Sequence, residues 1–254
     1  MDKTKIEWCD STWNPVTGCY HGCDYCYASK MADRFGTGWE FTGEGLPVLE
    51  KPLRGVSPGG GASRAQPYPF NFTPTFHKYR LDQPKKWKEG RTIFVCSMAD
   101  LFGDWVPDEW IEKVFEACKK APQHRYLFLT KNPQRYGDLA EAGKLPKEEN
   151  FWWGSTVVSM QSKVYPGRIT DNIFISIEPL LEQLDVGVGS FGRTEWVIIG
   201  AESGNRKEKV IPEKEWIDAI CKAADLTLAS VYMKDSLIPI VGEEKMRREF
   251  PWED

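Results

Sequence analysis

No apolar run in this chain is long enough to cross a bilayer, so nothing in it reads as a membrane segment. The opening MDKTKIEWCD is polar and lacks the apolar core of a secretory signal, which predicts a cytoplasmic protein. Charge of one sign is also in short supply. Lys and Arg number 33 against 37 Asp and Glu, a formal net charge of -4, which argues against a surface that attracts nucleic acid as a whole. There is no internal repeat, no composition break that would divide the chain, and no flavin fingerprint. What remains is a 254-residue chain with 41% hydrophobic residues, long enough to bury a large core as one α/β barrel or two small domains. In a reducing cytosol its seven cysteines stay thiols.

Three of those cysteines fall close together, as Cys19, Cys23 and Cys26 in the run Gly-Cys-Tyr-His-Gly-Cys-Asp-Tyr-Cys-Tyr over residues 18–27. The spacing is C-x3-C-x2-C. Three thiolates on one short loop can each reach a different iron of a cubane [4Fe–4S] cluster, with Gly18 and Gly22 letting the backbone curl round a bulky centre. The fourth iron then has no protein ligand and is open to a substrate or cofactor. Two other readings stand beside this one. A zinc site would need four ligands and would have to conscript His21 from inside the loop; a disulfide would need an oxidising compartment that nothing marks. Cys9, Cys118 and Cys221 have no companions at ligand spacing.

Along the chain, Ile6 to Thr17 alternates large apolar and polar residues and predicts a strand running into the cysteine loop, with Thr12–Thr17 its core. Ala28–Phe35 has helical spacing and stops at Gly36. Residues 36–71 are rich in glycine and proline and predict a long irregular insertion. Beyond it, apolar runs at Phe72–His77, Thr92–Ser97, Tyr126–Thr130, Trp152–Val158, Ile173–Ile177, Trp196–Gly200 and Ala229–Met233 alternate with helix-like segments. Pro107–Lys120 is the clearest of these, with acids in its first turn, lysines in its last, and Trp110, Val114, Phe115 and Cys118 on one face; Pro212–Ala224 repeats the plan. Alternation implies a parallel sheet, and eight strands would suit a closed (β/α) barrel with its active site at the strand C-termini. Trp105 and the Trp152-Trp153 pair fall near strand ends, where a flat ligand could stack. Residues 78–91 are basic with interleaved aromatics, and Arg206, Lys207 and Lys209 form a smaller basic group; such runs are most often a solvated face.

The cysteine loop, with Lys5-Ile6-Glu7-Trp8, Thr12-Trp13-Asn14-Pro15-Val16-Thr17-Gly18-Cys19 and Cys23-Asp24-Tyr25-Cys26-Tyr27-Ala28, resembles the radical S-adenosylmethionine (SAM) superfamily, and most closely its phage-derived three-Cys-motif branch. Ser97-Met98-Ala99-Asp100-Leu101-Phe102, Leu129-Thr130-Lys131, Glu178-Pro179-Leu180-Leu181 and Trp196 to Gly204 extend the likeness along the chain, although members of that branch often carry a longer cysteine loop. The resemblance implies a single domain over residues 1–254: a radical-SAM (β/α) barrel with a six-unit core, extended or closed by two further strands. It implies that SAM binds the open iron, and that one-electron reduction cleaves it to methionine and a 5′-deoxyadenosyl radical. An external flavodoxin- or ferredoxin-like donor is then needed.

SAM also needs partners for its carboxylate, amine, ribose and adenine. Tyr25 takes the place of the adenine contact, and strand ends supply Ser97, Lys131, Ser155, Glu178 and Glu202, with Ser159 and Ser203 beside them. Cys-Asp-Tyr-Cys-Tyr is similar to the loop of spore photoproduct lyases, which makes Tyr25, Tyr27 and Cys96 candidates for returning a hydrogen atom to the product; Cys96 also reads as a small buried strand residue. The expected function is radical chemistry on an organic substrate, with a nucleobase or nucleic acid the favoured class given the phage association. The alternative is a non-catalytic iron–sulfur or zinc protein that senses redox state or holds a partner.

Overall fold

The computed structural model describes residues 4–55, 63–168, 170–187, 189–204 and 206–253. Its strands are β1 (Ser11–Trp13), β2 (Val16–Thr17), β3 (Val48–Leu49), β4 (Arg54–Gly55), β5 (Arg64–Ala65), β6 (Thr75–His77), β7 (Thr92–Val95), β8 (Arg125–Thr130), β9 (Phe151–Thr156), β10 (Asn172–Ile177), β11 (Trp196–Ile199) and β12 (Ser230–Met233). Its α-helices are α1 (Tyr27–Phe35), α2 (Asp108–Lys119), α3 (Gln134–Glu141), α4 (Lys214–Leu226) and α5 (Ile238–Val241).

The chain does not build the expected radical-SAM barrel of six to eight βα units. Seven strands make one open parallel sheet in the order β1-β7-β8-β9-β10-β11-β12, which does not close on itself. Among the described residues no α-helix joins β9 to β10 or β10 to β11. Those connections carry glycine at 167, 187, 189 and 192 and proline at 166 and 179, and lack the apolar spacing that would give a crossover helix a buried face. The second predicted strand, Phe72–His77, is the other loss: it contributes β6 to a separate three-stranded sheet of order β2-β6-β3. The fold is α/β with an open sheet. The insertion over residues 36–71 is not wholly irregular either, since it holds β3 and the antiparallel pair β4–β5.

Two compact units can be distinguished: Cys9–Tyr126 with the residues up to Lys5, and Leu127 onward with Ile6–Trp8. In the first, β1 pairs parallel with β7, Trp13 opposite Val95. The predicted first strand then breaks at Asn14-Pro15, and β2 turns off to run antiparallel to β6, with Val16 opposite Phe76. Proline lacks the amide a central ladder needs, and the Asn14 side chain is taken up by the turn after β7, so the strand ends there. Phe76 stacks on Trp110 of α2 at 5.1 Å. That helix buries Trp110, Ile111, Val114, Phe115 and Cys118 and is bounded as its proline, acids and lysines predict. Each such side chain stabilises the unit by about 1.5–3 kcal/mol on burial.

His77, at the end of β6, is fully buried, its Nε2 2.9 Å from Thr17 Oγ1 and its Nδ1 3.2 Å from the Tyr79 hydroxyl. Burial, assisted by the Arg80 charge, pushes its pKa from 6.5 down to about 2. The unfolded chain therefore takes up a proton below pH ~6.5 that the folded chain refuses, so stability is lost as pH falls through that value. Between pH 6.5 and 5 this residue alone should cost about 2 kcal/mol. Denaturant titrations across that interval are expected to show a flatter pH dependence for His77→Gln than for the parent chain; parallel curves would clear His77 of the effect.

In the second unit β9, β10, β11 and β12 pair parallel in succession. Val197, Ile199, Val231 and Met233 pack with Ile217, Ile220, Ala223 and Ala224 of α4 in one apolar cluster. Trp196 instead meets Trp8, Tyr232, Phe250 and Trp252. The Trp152-Trp153 pair, expected to offer a stacking surface near a strand end, lies inside β9 and is buried; Trp153 stacks on Phe128 at 5.0 Å. No helix among the described residues is long and apolar enough to cross a membrane.

Candidate metal centre

The cysteine loop starts where β2 ends. Gly18 donates its amide to Met98 O at 2.8 Å, and Cys19 donates to Phe72 O at 3.1 Å, so the loop leaves the sheet tied to two separate segments. Gly18 has φ +89°, and a Cβ placed there would lie 2.4 Å from the carbonyl carbon and oxygen of Thr73. Both the backbone and its neighbour therefore demand glycine. Gly18→Ala is expected to cost about 2–4 kcal/mol of stability; a melting temperature within a degree or so of the parent's would show that the loop can move aside.

Further on, Gly22 turns the chain at φ +66° and Cys26 donates to Cys23 O at 3.0 Å. Cys26 is the N-cap of α1, its Sγ accepting the Ser29 amide at 3.3 Å. Cys19 Sγ likewise accepts the His21 amide at 3.5 Å. All three cysteines are half-buried free thiols. Burial pushes the Cys19 thiol up to about 12, with Asp100, Cys23 and Cys26 adding to the rise and the His21 amide opposing it. Cys19 is thus within electrostatic reach of both other cysteines. The end of the insertion backs the loop: Tyr68 packs with Ala28 and Ala32 of α1 and with Met98, against Cys26 and Phe72.

The structure adds residues that spacing could not single out. His21 Nε2 lies 2.7 Å from Asp100 Oδ2, and Asp100 Oδ1 accepts the Phe102 amide at 3.0 Å. Asp100 is buried, so the loop is braced from its middle by a carboxylate 79 positions away. Trp105 meets His21 and Tyr20 edge to face at 4.9 and 5.5 Å. Asn14 Oδ1 accepts from the Met98 amide at 2.9 Å and from Ser97 Oγ at 3.2 Å, fixing the turn after β7. Asp100 and Asn14 both fall in runs that carry the family resemblance, but nothing in the sequence marked either as a partner of the loop or of the turn after β7.

Among the predicted site residues, Tyr27 and Ser97 are brought together: the Tyr27 hydroxyl donates to Ser97 O at 2.6 Å. Tyr25 is half-buried on the loop. Cys96 follows β7 at φ +58°, buried, and burial holds its thiol up at about 12. Lys131, Ser155, Glu178 and Glu202 belong to the second unit. There Ser155 Oγ is buried and accepts the Tyr165 amide at 2.9 Å. Glu178, directly after β10, pairs with Lys234, directly after β12. Glu202 is buried and held bidentately by Arg206 at 2.6 and 2.7 Å. Lys131 directly follows β8, and Ser159 and Ser203 stand close to the ends of β9 and β11.

The donor set can be tested against the two candidate metals. A mononuclear tetrahedral ion needs its ligands converged. Among the described residues no three His, Cys, Asp or Glu side chains are so placed. A cubane asks for something different, three thiols each presented to its own corner, with amide hydrogen bonds to the sulfurs. Of the three cysteines, Cys19 and Cys26 already accept such bonds, from the His21 and Ser29 amides. Beside the loop, Trp105 Nε1 is buried with no acceptor, as though the acceptor belonged to a bound group.

A family profile described as Protein of unknown function (DUF5131) matches residues 3–236. The chain belongs to that family. The match takes in the cysteine loop and Asp100 as well as β1 through β12 of this DUF5131 chain. Comparison with curated proteins and with solved structures yields no match.

Proposed function

We propose that this DUF5131 chain is a radical SAM enzyme whose Cys19, Cys23 and Cys26 hold a [4Fe–4S] cluster. The observation that carries the reading is the loop itself: three half-buried thiols within electrostatic reach, two of them already hydrogen-bonded by backbone amides. When bound, the cluster would supply one electron for cleavage of SAM to methionine and a 5′-deoxyadenosyl radical. The protein's own part is positional. The His21 and Ser29 amides draw charge from the sulfurs of Cys19 and Cys26. Asp100 braces the loop through His21, while Tyr27 ties the start of α1 to Ser97. Cys96 keeps its proton at neutral pH, so its S–H remains available for hydrogen-atom return. An external low-potential electron donor completes the reaction, and an organic molecule, with nucleotides favoured, is its substrate.

Reconstitution with iron and sulfide under anaerobic conditions, then addition of dithionite and SAM, is expected to give a brown protein that forms 5′-deoxyadenosine and methionine in equal amounts. A brown protein that leaves SAM intact would reassign the loop to redox sensing. A colourless protein holding one tetrahedral ion would overturn the proposal.

A further inference from the structure

The basic stretch over residues 78–91 contributes no residue to the cysteine loop, and the fold uses only half of it. Its Trp87 is turned into the core, where Arg91 covers the ring at 4.7 Å and His124 meets it edge-on. Lys85, Lys86 and Lys88 are exposed, and none has an ion-pair partner among the described residues. Lys86 also lines a cavity of about 450 Å³, together with Tyr79, Arg80 and Gln83 from the same stretch and Ala65–Pro67 from the end of the glycine- and proline-rich insertion. Among the described residues no carboxylate lines it: Asp82 and Glu89 are exposed elsewhere on the stretch.

Arg80 is held rigidly in that wall. Its Nη1 donates to Asn14 O at 2.9 Å and its Nη2 to Pro67 O at 3.1 Å, its own carbonyl accepts from Trp13 Nε1 at 2.9 Å, and its guanidinium lies over the Tyr79 ring. These contacts are with neutral groups, so the positive charge is left uncompensated while its position is fixed. A guanidinium ordered in advance loses little entropy on gripping an anion. The Gln66 side-chain amide reaches its present acceptors only at 3.4 Å, and the Gln83 side-chain amide has none among the described residues. Two cations and two adaptable amides around one opening make a site for an oxyanion.

We propose that this cavity binds a phosphate of single-stranded nucleic acid. Arg80 and Lys86 neutralise that phosphate, Gln66 and Gln83 hydrogen-bond its oxygens or the adjoining sugar, and Lys85 and Lys88 meet phosphates on either side. The volume suits one nucleotide unit, being near the low end of the roughly 300–1,000 Å³ of small-ligand pockets. Lysines beyond the rim extend the positive field past a single phosphate, which a free nucleotide would not need. The chain's net charge of -4 works against wrapping a long duplex. Among the described residues no cysteine lines the cavity, so the inference does not rest on the cluster; joined to the reading above, it names the substrate class.

The test uses the full chain without iron or SAM, so that it fails or succeeds independently of the radical reading. Anisotropy of a labelled oligothymidylate of about twelve nucleotides, in about 50 mM salt, should report binding whose logarithmic salt slope is about -2 to -3. Lys86→Glu and Gln83→Glu should each weaken it about tenfold, with Lys86→Glu also flattening the slope by about one phosphate contact. Lys222→Glu, at an exposed position on α4, should leave binding unchanged. Failure to bind the oligonucleotide would overturn the proposal, as would equal losses in Lys222→Glu. Thymidine monophosphate competing as strongly as the oligomer would replace nucleic acid by a free nucleotide and likewise overturn it.

Discussion

Cys23→Ala, purified and reconstituted without oxygen, is expected to lose the visible colour of a cluster and to cleave SAM at least about a hundredfold more slowly than the parent chain. Changes that merely disturb a metal's outer partners cost 10–100-fold, and this one removes a direct ligand from a site with three. Two irons would be left without protein ligands. The fold should survive, because Cys23 is half-buried and its thiol has no hydrogen-bond partner among the described residues; a melting temperature within a few degrees of the parent's is expected. Undiminished iron content and SAM cleavage would remove the basis for the whole site. Loss of colour together with unfolding would instead give Cys23 a structural role, which Cys23→Ser would then separate from ligation.

Asp100→Ala should have the second-largest effect, through two different losses. Its Oδ1 accepts the Phe102 amide, and its Oδ2 meets His21 at 2.7 Å. Leaving a buried amide without an acceptor costs about 1–3 kcal/mol, or roughly 5 °C in melting temperature for a chain of this size. Releasing His21 removes the brace from the middle of the cysteine loop and should weaken iron loading about tenfold. His21→Ala separates the two, because it keeps the Phe102 bond: loading should fall while stability changes little. If His21→Ala loaded iron as well as the parent, Asp100 would be a local turn-former and nothing more.

The candidate site was partly legible in the chain because its defining residues are neighbours. Cys19, Cys23 and Cys26 sit on one loop, so their spacing alone says what they can share. The helix that follows them ends at Gly36 as its sequence predicts, and α2 is bounded by Pro107 and by charges placed to suit its dipole. Three features were not legible for a common reason. The break of the first strand at Asn14-Pro15 depends on what Asn14 accepts from the turn at Ser97 and Met98, more than eighty residues on. The direction of Trp87, inward under Arg91, depends on having His124 to pack against. Which strands share the open sheet depends on pairings such as β1 with β7, where Ser11 meets Ile93 from far along the chain.

The sequence by itself determined the pieces whose physics is local: the cysteine spacing, the helix limits, the apolar runs that become β7 through β12, and the glycine at the mouth of the loop. Only the tertiary structure decided which strands share a sheet, that the sheet stays open, that Asp100 reaches His21, and that Arg80 is fixed in the wall of a cationic cavity. Periodicity and capping act within a few residues along the backbone, whereas strand pairing, the reach of Asp100 to His21 and the fixed position of the Arg80 guanidinium are set by groups that meet only after the chain has folded.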